Sequence, residues 1–155
     1  MTELLEPTDW RRAAGATGLL AAFNEAGVIE TPDVLVAQRL TALGVNLYFK
    51  SVVGDNPARM KEVIARAMER SDVVITSGGL GPTQDDLTRE VVAEVTGRKL
   101  VQSAEMLEQV EAHFRRRGRA MTPNNIRQSY MPEGALPVEN PNGTAPCFIV
   151  EDSRS

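Results

Sequence analysis

From residue 43 onward, short apolar runs alternate with amphipathic stripes. Residues 45–53 (VNLYFKSVV) are rich in β-branched and aromatic side chains and predict a strand. Gly54, Asp55, Asn56 and Pro57 break it, with Asp55 or Asn56 as a helix cap and Pro57 in the first turn. Met60, Val63, Ile64, Ala67 and Met68 then recur at helical spacing on one face. Residues 72–76 are short and almost wholly apolar, as a parallel strand covered on both faces would be. Leu87, Val91, Val92 and Val95 line a helix that Pro82, Thr83, Asp85 and Asp86 open and Gly97 ends.

On either side the signals thin out. Val34, Leu35, Gln38 and residues 40–43 predict a helix from about Pro32 to Gly44. Ser103 caps a helix carrying Met106, Leu107, Val110 and Phe114 and stopped at Gly118. Thr122 and Pro123 open a short helix that reaches Tyr130, and extended pieces follow at 136–138 and 148–150. No strand is predicted before residue 33. Trp10, Leu19, Leu20 and Phe23 fit one helical face, although Gly15 and Gly18 each lower its propensity by roughly 1 kcal/mol. Strand, helix, strand, helix with short connections implies right-handed βαβ units and a mainly parallel sheet.

Composition narrows the class without naming it. A chain of 155 residues with 42% hydrophobic content fits one domain with one core. A net charge of −4 argues against broad nucleic-acid binding. A lone cysteine, Cys147, cannot form an internal disulfide, and no apolar run approaches the roughly 18 residues of a membrane span. With no signal-peptide pattern at the start, the expected compartment is the cytoplasm.

The chemistry concentrates in residues 71–90, SDVVITSGGLGPTQDDLTRE. An apolar strand runs into a turn of Ser77, Gly78, Gly79, Leu80 and Gly81, and bare backbone at a strand's carboxyl end suits a phosphate or another anion. A tight turn alone would explain one glycine, but three in four residues, with the Ser77 and Thr83 hydroxyls, point to phosphate. Asp85 and Asp86 beside it are candidates for proton transfer and for a divalent metal such as Mg²⁺. The alternative is that they only complement the helix dipole. Without a bridging cation, carboxylates would repel the phosphate.

These residues, with GVNLYFKSVVGDNPARM, VTGRKL, FRRRGRAMTPNNIRQSYMPEGA and NPNGTAPCFIV, resemble the N-terminal domain of the CinA family. That family lies within the molybdopterin-binding superfamily of MoaB, MogA and MoeA. The likeness covers roughly residues 33–150, and residues 1–32 are atypical. It implies a three-layer α/β/α sandwich, MoaB/MogA-like, with the ligand at the carboxyl ends of the strands. It further implies a nucleotide or pterin ligand, a homo-oligomer, and neither nucleic acid nor membrane as partner. The family's first strand is expected to be missing: Thr2, Glu3, Leu4 and Leu5 look like a remnant of the turn after it, and residues 19–29 would have to supply a substitute. Against that family, the sequence to residue 155 is expected to stop short of the proline-rich closing loop and to carry no activity of the C-terminal amidohydrolase domain of full-length CinA.

The resemblance makes the leading functional expectation a metal-dependent hydrolase of a diphosphate such as ADP-ribose. Asp85 and Asp86 would be catalytic, with Asp86, Asp85 or Asp55 on the metal. Ser77, Gly78, Gly79, Gly81 and Thr83 would bind substrate, as would Gly143 and Thr144, because residues 140–145 close over the ligand in that family. Molybdopterin binding with adenylylation is the alternative, and a non-catalytic binding or oligomerisation module, or an inactive fragment, is a third. Asp55 serves equally as a helix cap, while a hairpin turn at Asn142-Gly143 is the lesser alternative to a binding role. Glu90 is expected to pair with Arg89 or a neighbouring base. Thr122 and Asn125 are expected to be structural, Arg115, Arg116, Arg117 and Arg119 a solvated helix end, His113 a surface residue, and Cys147 an inert core thiol.

Overall fold

The computed structural model describes residues 17–21 and 32–152. In chain order these form β1 (Thr17–Ala21), α1 (Pro32–Ala42), α2 (Pro57–Arg70), β2 (Val73–Thr76), α3 (Thr88–Val95), β3 (Leu100–Gln102) and α4 (Ala104–Arg116). A 3₁₀ helix (Pro123–Ser129) follows, then β4 (Tyr130–Pro132), β5 (Leu136–Val138) and β6 (Cys147–Asp152). The main sheet has the order β2-β1-β6-β5, and β3 pairs with β4 in a second, two-stranded sheet. The fold is α/β.

Three expectations about strands are corrected. A strand does precede residue 33: β1 sits inside the sheet, parallel to β2 and antiparallel to β6. Its sequence, TGLLA, is too short and glycine-weakened to show a period, and ladders on both sides override that local weakness. The sheet is therefore not short of a strand on its N-terminal side; part of the 19–29 stretch supplies one. Nor is the sheet mainly parallel, because β1–β2 is the one parallel ladder described, and β1–β6, β5–β6 and β3–β4 are antiparallel. Residues 45–53 form no strand. Strand propensity needs a neighbour to share a ladder, and this segment has none among the described residues. Its Tyr48 and Val52 are 78% and 90% exposed, while Val53 packs on the core and Phe49 lies under the Arg70 guanidinium, 3.8 Å from the ring centre.

The helices follow their patterns more closely. Asn56 caps α2 by accepting from the Arg59 N–H at 3.1 Å, and Pro57 opens it, leaving Asp55 exposed before the cap. One stripe of α2, Met60, Ile64 and Met68, meets Val91 and Val92 of α3, Met106 of α4, and Phe148 and Val150 of β6 in the core. Leu80, from the middle of the glycine turn, is buried in the same cluster and anchors the turn to it. Burial of a side chain of this size contributes about 1.5–3 kcal/mol. The helix expected to open at residues 82–86 begins instead at Thr88. Trp10, Phe23 and residues 2–5 lie outside the described residues, and Leu19 and Leu20 belong to β1 rather than to a helix. Among the described residues, no helix is long and apolar enough to cross a membrane.

Candidate functional site

The glycine turn leaves β2 at Thr76 and is gripped from one side. Thr88, the first residue of α3, donates its side-chain hydroxyl to the Gly78 carbonyl at 2.8 Å and its N–H to the Gly79 carbonyl at 3.1 Å. Arg89, 2% exposed, donates to the carbonyls of Leu80 at 2.5 Å and Gly81 at 2.9 Å. Arg127, from the 3₁₀ helix, donates to the Thr83 carbonyl at 2.6 Å and to Glu90 Oε1 at 2.8 Å. With no cis peptide among the described residues, each captured carbonyl turns the next amide hydrogen the other way, so the N–H groups of Gly79 and Leu80 point away from α3. Gly78 and Gly79 hold φ of 92° and 68°, where other residues are strained. A Cβ at Gly79 would also collide with Thr88 Oγ1, whereas one at Gly78 would meet open space.

The second half of the turn serves its own acid. Asp86 Oδ2 accepts from the Thr83 N–H at 2.9 Å and the Thr83 hydroxyl at 2.5 Å, and the carboxylate also takes the Gly81 N–H. Burial works against this charge, but the Thr83 and Gly81 hydrogen bonds and the nearby Arg89 outweigh it and hold the carboxyl below its usual range. Asp86 is thus a carboxylate seated where the Gly81 and Thr83 amides would otherwise hold an outside anion. A Cβ at Gly81 would lie 2.5 Å from Asp86 Oδ2, so this glycine is required by close approach. Neither Asp85 nor Asp86 is a helix-terminal acid, since α3 begins later; Asp85 is exposed beside the turn.

The second expected binding segment, 140–145, connects the antiparallel strands β5 and β6. Asn140 organises it: Oδ1 accepts from the N–H groups of Asn142 at 3.1 Å and Gly143 at 3.0 Å, and Nδ2 donates to the Ala145 carbonyl at 2.9 Å. A Cβ at Gly143 would lie 2.8 Å from Asn140 Nδ2, so the glycine lets the Asn140 side chain in. The Thr144 hydroxyl accepts from Gln128 Nε2 at 3.2 Å. Gln128 follows Arg127 in sequence, so adjacent residues of the 3₁₀ helix reach the two loops.

Glu90 pairs with Arg127 rather than Arg89, which lies buried behind the turn. Thr122 and Asn125 form a capping box, as expected of structural residues. The four arginines 115, 116, 117 and 119 are exposed, and Cys147 is buried with its thiol pushed up to about 11 by burial. His113 is not a surface residue. It is 6% exposed, because the α4 stripe of Met106 and Val110 continues through it. Its pKa is lowered by burial and by the charges of Arg117 and Arg116. Asp55 joins no metal-holding group: no three His, Cys, Asp or Glu gather among the described residues. Sequence reasoning missed Arg89 as the clasp of the turn and Gln128 as the partner of Thr144. Both sit in helical stretches where a polar residue reads as solvated, and no periodicity marks them otherwise.

Comparison with known proteins identifies relatives of this chain. Residues 20–155 match the family model described as "Probable molybdopterin binding domain", a match that starts within β1 rather than at residue 33. A protein of Acetivibrio thermocellus named as a competence-damage inducible protein is 56% identical over 125 residues, 81% of this chain and 30% of that protein. A CinA-like protein of Dictyoglomus thermophilum is 46% identical over 127 residues, 82% of this chain and 31% of that protein. The chain thus spans about three-tenths of the length of these curated relatives. A crystal structure of CinA from Thermoplasma acidophilum, a protein of unknown function, superposes with a TM-score of 0.69 at 30% identity, covering 83% of this chain and 77% of that one. By its matched length and by the relatives it matches there, the chain belongs to the molybdopterin-binding domain family, on the CinA side of it.

Proposed function

We propose that this chain binds a small nucleotide or pterin through its phosphate, seated on the outward face of the glycine turn and covered by residues 140–145. The observation that carries the reading is the one-sided capture of the Gly78 and Gly79 carbonyls by Thr88, which leaves the Gly79 and Leu80 amide hydrogens directed away from α3. Ser77 and Thr83 flank the turn, and Arg127 places a positive charge behind it. The three-layer α/β/α arrangement belongs to the same proposal, since it would gather both loops at one end of the sheet.

The reaction we propose for the bound ligand is hydrolysis of a diphosphate such as that of ADP-ribose, assisted by a divalent ion such as Mg²⁺. The residues fit such an ion in one mode only. They form no cage of three acids, and Asp86 Oδ2 is engaged by Thr83. Exposed Asp85 with the remaining capacity of Asp86 suits a hard cation whose other ligands are phosphate oxygens and water. When bound, the ion supplies charge neutralisation and an acidified water. Asp86 itself keeps the second half of the turn folded, and Arg89 keeps the first half facing outward. The family description favours molybdopterin as the alternative ligand of this same turn.

Calorimetric titration with ADP-ribose and Mg²⁺, alongside an assay for AMP, tests the proposal. Wild type is expected to bind and to release AMP, with Asp85→Asn and Asp86→Asn each lowering the rate at least tenfold. Binding without AMP at any metal concentration removes the hydrolase step and leaves a binding module. No binding of ADP-ribose, with tight binding of molybdopterin, replaces the ligand. Failure of both would leave only an oligomerisation module or an inactive fragment.

A further inference from the structure

We propose that the relay from Thr122 through the buried Asn125 and Gln128 fixes the Thr144 hydroxyl as a hydrogen-bond donor, so that residues 140–145 select an oxyanion. The inference rests on the reading that this segment faces the ligand. Its starting point is a group whose polarity is not negotiable. The backbone N–H of Thr122 donates to Asn125 Oδ1 at 3.0 Å, and the Thr122 hydroxyl donates to the same atom at 2.7 Å. An amide oxygen held this way leaves the Asn125 nitrogen as the other end, and it donates to Gln128 Oε1 at 3.1 Å. Gln128 must then offer its own nitrogen onward, to Thr144 Oγ1 at 3.2 Å. Each amide orientation follows from the one before, back to a backbone group that can only donate.

Burial keeps the relay from being rewired by solvent. Asn125 is 8% exposed and Gln128 1% exposed, so neither can exchange its partner for bulk water. The lone pair of Thr144 Oγ1 that Gln128 uses is filled, and the hydroxyl proton meets no acceptor among the described residues. It is available to an oxygen of a ligand. A carbonyl, carboxylate or phosphate oxygen satisfies it, whereas an N–H group could use only the remaining lone pair and would leave this proton unmet. Gln128 and Asn125 are therefore positioning residues for Thr144.

The decisive substitution is Asn125→Asp, which reverses the relay without breaking it. A carboxylate at 125 still accepts from Thr122, but it can only accept from Gln128. Gln128 must then turn its amide, placing its oxygen against Thr144 and drawing the hydroxyl proton inward. The Thr83–Asp86 pair shows the same turn accommodating a carboxylate. Asn125→Asp is expected to melt cooperatively and to weaken Mg²⁺–ADP-ribose binding about tenfold, as Thr144→Val does, whereas Thr144→Ser retains binding. Wild-type affinity in folded Asn125→Asp overturns the proposal. The Gln128 side-chain amide resonances decide it independently of any ligand. In Thr144→Val they are expected to move upfield and lose protection from exchange, and unchanged resonances there overturn the relay even if Asn125→Asp fails to fold. If wild type does not bind ADP-ribose, the resonances still report on the relay, while the binding result bears on the ligand reading alone.

Discussion

The molecule contains the same short turn twice, once with an acid and once with an amide. In Thr83–Asp86 the threonine N–H and hydroxyl both donate to the side-chain oxygen three residues on, and in Thr122–Asn125 they do the same at nearly the same distances. The surroundings differ. Asp86 is a charged end point that uses its lone pairs on Thr83 and Gly81, whereas Asn125 is buried and passes its hydrogen-bonding polarity on to Gln128. A carboxylate has nothing to donate, so the acid version terminates a network; an amide has both ends, so it transmits one. One geometry therefore serves two purposes, and the choice of Asp or Asn decides which.

The largest effect is expected behind the acid turn. Arg89→Met leaves the Leu80 and Gly81 carbonyls without these partners and is expected to cost roughly 2–6 kcal/mol in urea denaturation. A cost near zero would mean that the turn holds its shape without the clasp. Next in size, Asn125→Ala is expected to cost about 2–3 kcal/mol, because it strips partners from Thr122 and from the buried Gln128. Asp86→Ala is expected to cost only about 1 kcal/mol, the usual net worth of a turn hydrogen bond open to water. Equal costs would erase the distinction between terminator and transmitter.

The smallest effect lies in pH. Because the folded state lowers the Asp86 pKa, its contribution is fully present above the unfolded carboxylate value and is lost as pH falls through the folded one. Asp86→Asn should flatten that acid limb, while Thr122–Asn125 contributes nothing to it. His113 acts in a higher window and must be separated. Its lowered pKa means the unfolded chain takes up the proton first, so stability declines as pH drops below about 6.5. Comparing melts of wild type, Asp86→Asn and His113→Gln between pH 3 and 8 resolves the two limbs.

How much of this was legible in the sequence differed by element. Helices with one apolar stripe were placed well, since Met60, Ile64 and Met68 repeat at the period that buries them. Strands were not, because their existence depends on neighbours. TGLLA becomes a central strand through its ladders, while VNLYFKSVV, with far better residues, finds no ladder among the described ones. The glycine turn could be located from Gly78, Gly79 and Gly81, because positive φ and close approach leave a compositional trace. The long-range bonds of Arg89, Arg127 and Gln128 leave none. A polar residue facing inward looks, in sequence, like one facing water.

Cys147 gives the molecule a built-in clock. Its thiol is 3% exposed on β6, an interior strand of the main sheet, and burial raises its pKa to about 11, so the reactive thiolate is scarce in the folded state at neutral pH. A thiol reagent would then label this single site mainly when the sheet opens. Labelling rate becomes a running measure of how often the platform beneath both loops comes apart, read without denaturant and in the presence of any candidate ligand.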